Sequence, residues 1–135
     1  MPYEIPVQTR SRCQLVDITS QVRLAVRDLA LKDGIVTVFV PHTTAGITIQ
    51  ENADPDVVSD LLMELERIVP FEDGYRHSEG NSAAHIKSSL MGSSIHVLVE
   101  GGQLLFGTWQ GIYFCEFDGP RHRKVWIKVV STGVV

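Results

Sequence analysis

Three of the five histidines in this 135-residue chain, His42, His77 and His85, stand among the polar residues best suited to chemistry. Neutral imidazoles with carboxylates nearby would suit a divalent metal ion, zinc or magnesium, with one coordination position open to water or substrate. His42 follows an apolar segment and precedes Thr43 and Thr44, where a rigid sheet end would aim its ring into a crevice. A plain turn histidine is the alternative there. His85 falls in the first turn of a helix begun by Asn81, and the positive end of a helix disfavours imidazolium, leaving the ring neutral and able to ligate. His77 lies too far back to share a helix face with His85, but a loop folding back would bring the two together.

Carboxylates and amides complete the candidate set. Glu51 and Glu116 are the expected acid, base or ion-orienting groups. Asn52, Ser82, Gln110 and Arg121 are the expected substrate contacts. The backbone N–H groups of Ser82, Ala83 and Ala84, beside small side chains, would suit a phosphate, unless Asn81 merely caps a surface helix. Glu116 and Asp118 share strand parity with Gln110, Ile112 and Phe114. For Asp118 the competing reading is a strand emerging into solvent, because Gly119-Pro120 turns the chain immediately afterwards. Arg121 and Arg123 could bind a phosphate or hold those acids. Asp54 is most economically a helix cap, and Asp56, Asp60, Glu64 and Glu66 form the solvated face of a helix. Trp109 and Trp126 could stack on a ring, but aromatic residues within strands more often pack in a core.

The elements that must position these groups follow from periodicity. Tyr3 to Gln8 reads as a strand, and Asp17 or Thr19 caps a helix carrying Val22, Val26, Leu29 and Ala30, stopped by Gly34. Ile35 to Val40 and Ala45 to Gln50 read as strands. Asp54 and Pro55 open a helix with an apolar stripe at Val57, Leu61, Leu65 and Ile68, ended by Pro70. Phe71 to Gly80 has neither period and reads as a surface loop. Asn81 starts a short helix that ends at Gly92. Thereafter the pattern is all strand: Ile95 to Val99, a Gly101-Gly102 turn, a long strand through Trp109 to Phe117, and Lys124 to Val130. Single helices between antiparallel-looking strands indicate α+β architecture, a mostly antiparallel sandwich with two or three helices, in one domain over residues 1–135.

The bulk composition agrees. With 44% apolar and 21% charged residues, the chain is globular and can hold its own core. A net charge of −4 with scattered Lys and Arg argues against nucleic acid as a partner. Cys13 and Cys115 form no CxxC pair, which gives a disulfide framework or zinc knuckle no support; both read as small buried hydrophobes. The first ten residues lack the basic-then-apolar pattern of an export signal, and no apolar run approaches membrane-spanning length. The expected setting is the cytoplasm, away from the membrane.

Several motifs are distinctive together: H-T-T-A at His42, Q-E-N-A-D-P-D from Gln50, H-S-E-G-N-S-A-A-H-I-K-S-S from His77, G-T-W-Q-G-I-Y from Gly107 and C-E-F-D-G-P-R from Cys115. In order, over nearly all of the chain after about residue 35, they resemble the YjbQ-like family, often labelled secondary thiamine-phosphate synthase. The resemblance implies a compact α+β sandwich assembling as a homotrimer, with His42, His77, His85, Glu51 and Glu116 in a polar pocket. It also implies a transferase that joins an aminopyrimidine-methyl diphosphate to a thiazole phosphate and releases pyrophosphate. The chain departs from many relatives at Gln50, where they carry Asn, and some relatives lack the D-G-P-R segment that holds Asp118 and Arg121. A metal-dependent hydrolase using the same site, and a small-ligand-binding oligomeric domain without catalysis, are the alternatives.

Overall fold

Strand-forming and helix-forming segments sort into layers in the computed structural model, which describes residues 2–132. The strands are β1 (Tyr3–Gln8), β2 (Gln14–Asp17), β3 (Gly34–Phe39), β4 (Ala45–Glu51), β5 (Ser94–Glu100), β6 (Gln103–Leu104), β7 (Gln110–Glu116) and β8 (His122–Ser131). The helices are α1 (Thr19–Asp28), α2 (Pro55–Ile68) and α3 (Ser82–Met91). One sheet has the order β1-β8-β3-β5-β6 and the other β2-β7-β4, with every pairing antiparallel. The α+β sandwich with three helices is therefore the observed architecture.

Alternation decides which side chains meet between the layers. Ile5 and Val7 of β1, Val36 and Val38 of β3, Val97 and Val99 of β5, and Val125 and Ile127 of β8 point inward. They meet Ile47, Ile112 and Phe114 from the three-stranded sheet, and α1 adds Val22, Ala25 and Val26. A smaller cluster of Leu65, Ala84, Cys115 and Phe117 joins α2 and α3 to the opposite face of the three-stranded sheet.

That second packing depends on Gly46. A Cβ there would stand 2.9 Å from both the Gly92 carbonyl oxygen and the Met91 Cβ, so only glycine lets the end of α3 lie directly on β4. α3 in turn carries His85.

Local chemistry accounts for most boundaries. The Asp54 carboxylate accepts the Asp56 N–H and Pro55 begins α2, as the sequence predicts. Several expectations need correction. The helix α1 ends at Asp28, and Ala30 takes the left-handed conformation (φ 56°) that reverses the chain; Gly34 instead opens β3. Asp17 does bind the Thr19 N–H at 2.9 Å, but it does so from the end of β2, a strand without a clear period. The expected long strand through Trp109 is two strands, β6 and β7. Asn81 starts α3 without capping it through its side chain, which is engaged elsewhere. Cys115 is buried, with burial pushing its thiol up to about 12, whereas Cys13 is only half-buried.

Candidate functional site

His42, His77 and His85 line one cavity of about 480 Å3, together with Thr43, Thr44, Glu79, Asn81, Asp118, Arg121 and Arg123. Each reaches it from a different element. His42 lies in the turn between β3 and β4, His77 in the loop between α2 and α3, and His85 in the first turn of α3. The loop does fold back. The His77 and His85 rings stand edge to face, with centroids 5.4 Å apart and planes at 85°.

The loop is held at both ends. Arg12 lies 3.9 Å over the Phe71 ring, the Phe71 N–H donates to Glu66 at 2.8 Å, and the Tyr75 hydroxyl donates to the Pro70 carbonyl at 2.7 Å. At the far end Asn81 Nδ2 donates to Asp118 Oδ2 at 2.9 Å, and the same oxygen accepts from Arg121 Nη2 at 3.0 Å. Arg121 is thereby fixed at the rim, further tied by its Nε to the Asp118 carbonyl. Asn81 Oδ1 is buried and has no hydrogen-bond partner among the described residues, an acceptor left for a ligand's N–H or O–H.

Behind the cavity lies a buried ion pair. Glu116 and Arg123 meet through both carboxylate oxygens and two guanidinium nitrogens, with side-chain exposures of 0% and 6%. The Glu116 oxygens also accept from the Thr9 hydroxyl at 2.7 Å and from the N–H groups of Phe117 and Asp118. Arg123 Nη2 further donates to the Thr44 hydroxyl at 2.9 Å. Burial pushes the Glu116 carboxyl up, but hydrogen bonds from Arg123, the Asp118 N–H and Thr9 outweigh it and hold the group below the usual glutamate range. Glu116 is therefore an ionised structural anchor whose oxygens are already taken, not a group placed to exchange protons with a ligand.

His42 is fixed differently from the other two histidines. Its Nε2 accepts the Lys124 backbone N–H at 3.1 Å, and its ring packs against the edge of Phe114. Burial, then the neighbouring Arg123 charge, depress its pKa. The ring is neutral at pH 7.

The remaining expected contacts divide sharply. Ser82 borders the cavity in an adjoining hollow shared with His77 and His85. Glu51, Asn52 and Gln110 do not come near. Ala45 of β4 pairs with Glu116, whereas Glu51 pairs with Gln110 six residues further along the same ladder; this is roughly 20 Å at the rise of a strand. Asn52 there donates to Asp17 at 3.3 Å, and the Asp17 and Glu51 charges add to burial in raising the Tyr113 hydroxyl pKa. Within one chain this is a separate polar cluster. Both charges behind the cavity had a sequence signal: Glu116 shares parity with inward Ile112 and Phe114, and Arg123 with inward Val125 and Ile127.

The residues fit a metal ion in part. Two imidazoles on one tetrahedral zinc, with bonds of about 2.0–2.1 Å, place their ring centroids about 5 Å apart, and His77 and His85 match that spacing. Among the described residues no three His, Cys, Asp or Glu side chains converge closely enough to hold an ion by themselves. Oxygen ligands from water or substrate would complete such a site.

The family model described as "UPF0047 protein YjbQ-like" matches residues 3–132. The chain belongs to the YjbQ-like UPF0047 family. It is 50% identical over 128 residues to the UPF0047 protein YugU of Bacillus subtilis, covering 94% of this chain and 97% of that one. A UPF0047 protein of Methanocaldococcus jannaschii is 48% identical over 131 residues, covering 97% and 95%. Among solved structures, a YjbQ/UPF0047 protein of Clostridium acetobutylicum superposes with a TM-score of 0.93 at 55% identity, covering 95% of this chain and 99% of that one. A conserved protein of Thermus thermophilus does so with a TM-score of 0.89 at 43% identity, covering 95% and 99%. The family's sandwich is thus the fold seen here, and no helix among the described residues is long and apolar enough to cross a membrane.

Proposed function

We propose that this protein is a metal-assisted enzyme acting on small phosphorylated compounds, with the site in the histidine-lined cavity. The observation that carries this reading is the cavity's mixed lining: a paired His77 and His85 on one side, and His42, Arg121 and Arg123 on the other. A divalent ion held by His77 and His85 would neutralise charge on a phosphoryl oxygen. Paired imidazoles favour zinc over magnesium in that position.

The chain's own groups divide the remaining work. Arg121, braced by Asp118, offers its guanidinium at the rim to an anionic group. The N-terminal turn of α3 lacks a side-chain cap, and Ser82 at its start borders the adjoining hollow. Asn81 Oδ1 would accept a donor from the ligand. Glu79 is exposed and lines the same cavity, and is better placed than Glu116 to take up a proton. The reaction that the family resemblance offers is the thiamine-phosphate synthase type, with pyrophosphate as leaving group.

We further propose a homotrimer, supported by the uncovered face of the five-stranded sheet. Leu98, Val130 and Phe39 are exposed there, and the Phe39 ring stacks on Trp126 with centroids 6.0 Å apart. Association would also offer a way for the Glu51 cluster of one copy to approach the cavity of another.

The experiment is to measure zinc content and pyrophosphate release from an aminopyrimidine-methyl diphosphate, with and without a thiazole phosphate. Wild-type protein should bind zinc and require the acceptor, and His85→Ala should lose both metal and turnover while keeping its circular dichroism. Release without acceptor would favour hydrolysis. Phosphate binding with no turnover under any metal would leave a binding domain and end the enzyme reading.

A further inference from the structure

His42 cannot play the same part as His77 and His85. A backbone N–H donates only to a ring nitrogen with a free lone pair, so the Lys124 bond fixes Nε2 of His42 as unprotonated. In the neutral ring the hydrogen must then sit on Nδ1. An ion bound at Nε2 would displace the Lys124 N–H, and one bound at Nδ1 would drive the hydrogen to Nε2, where it would oppose that N–H. Either route leaves a backbone donor without its acceptor.

Arg123 shows a matching feature. Its bonds to Glu116 and Thr44 use Nε and Nη2. Among the described residues Nη1 has no acceptor, yet it is not a buried unpartnered atom, and the residue lines the cavity. The same holds for Nδ1 of His42, which lines that cavity and an adjoining hollow. Lys124, which holds the His42 ring, directly follows Arg123 on β8, so one strand sets both groups.

We infer that His42 is a hydrogen-bond donor rather than a third metal ligand, and that its Nδ1–H and Arg123 Nη1–H together form a seat for the oxygens of a phosphoryl group. Glu116 makes the seat rigid by gripping the other edge of the guanidinium. Because His42 donates while uncharged, its hydrogen bond is kept across neutral pH. The inference deepens the proposed function and rests on its claim that a phosphoryl group enters this cavity; it does not need the metal.

The test combines tautomer-sensitive 1H–15N NMR of 15N-histidine-labelled full-length protein with titrations of zinc and of inorganic phosphate. Expected is an Nδ1–H pattern for His42 that zinc leaves unchanged while His77 and His85 shift, and that phosphate perturbs. His42→Ala should weaken phosphate binding roughly ten- to a hundredfold, the loss of one hydrogen bond to a charged group. His42→Asn, which restores a donor near the Nδ1 position, should recover part of it, and both variants should bind as much zinc as wild type. A switch of His42 to Nε2–H on zinc addition, loss of zinc in either variant, unchanged phosphate affinity in His42→Ala, or tighter binding of acetate than of phosphate would overturn the inference. If wild-type protein takes up no zinc, the metal-assisted reading fails, while the tautomer and phosphate results still decide the role of His42. Should a variant not fold, the wild-type spectra decide it alone.

Discussion

Glu116 and Arg123 face each other across the interior, and the grip of the first on the second decides which guanidinium nitrogen is left for the cavity. Glu116→Gln keeps the shape but leaves a buried cation without its counter-charge. A loss of about 3–5 kcal/mol is expected in urea unfolding at pH 7. The pH dependence has a definite sign. The folded-state pKa of Glu116 lies below its unfolded value, so its contribution is complete above the unfolded value and is lost as pH falls through the folded one. The gap between wild type and variant should therefore narrow on acidification below the ordinary glutamate pKa; a gap that stays constant down to strongly acidic pH would refute the ion pair's role.

Gly46 links packing to the site. Gly46→Ala must push the Met91–Gly92 end of α3 away from β4, because the contacts at 2.9 Å include a backbone oxygen that has little room to give. Overpacking of this kind costs about 1–3 kcal/mol. Since α3 carries His85, zinc affinity should fall as well, by more than in a control of equal stability loss in the main core such as Ile47→Val. Equal zinc affinity in Gly46→Ala and the control would show that the β4–α3 contact does not set the His77–His85 spacing.

The outer face of the five-stranded sheet gives a third expectation. Leu98 and Val130 both lie opposite Ile35 across β3. Placing charges there with Leu98→Glu and Val130→Glu should shift the mass measured by light scattering from trimer to monomer without changing the circular dichroism. A variant that keeps the wild-type mass would place the contact between copies on another surface.

Much of the fold is legible in residue order because its signals are local. β1 is bounded by its own alternation, α2 by Asp54 and Pro55, and the Gly101-Gly102 turn by two positive φ values of 57° and 77°. The misreadings have local causes too. β2 is four residues long, half-buried at Gln14, Leu15 and Val16 and exposed at Asp17, so it offers no alternation between faces. Asn81 has the right residue type for a cap, but an ion-paired Asp118, 37 residues away, takes its amide.

The site was less legible, and for one reason. Periodicity places Glu116 in one strand and Glu51 just past the end of another, but does not show that antiparallel pairing of β4 with β7 sends them to opposite ends of one ladder. Nor can it show whether a buried acid is free or already saturated.

Residue order alone thus settles the α+β class, the element boundaries set by caps, prolines and alternation, and the candidacy of His42, His77 and His85 as a group. Those properties reside in short stretches of chain. Only the folded chain separates the three imidazoles, setting His77 against His85 and tying His42 Nε2 to the Lys124 backbone. A hydrogen bond across 82 residues fixes a tautomer, and no local pattern encodes the position of the atom that makes it.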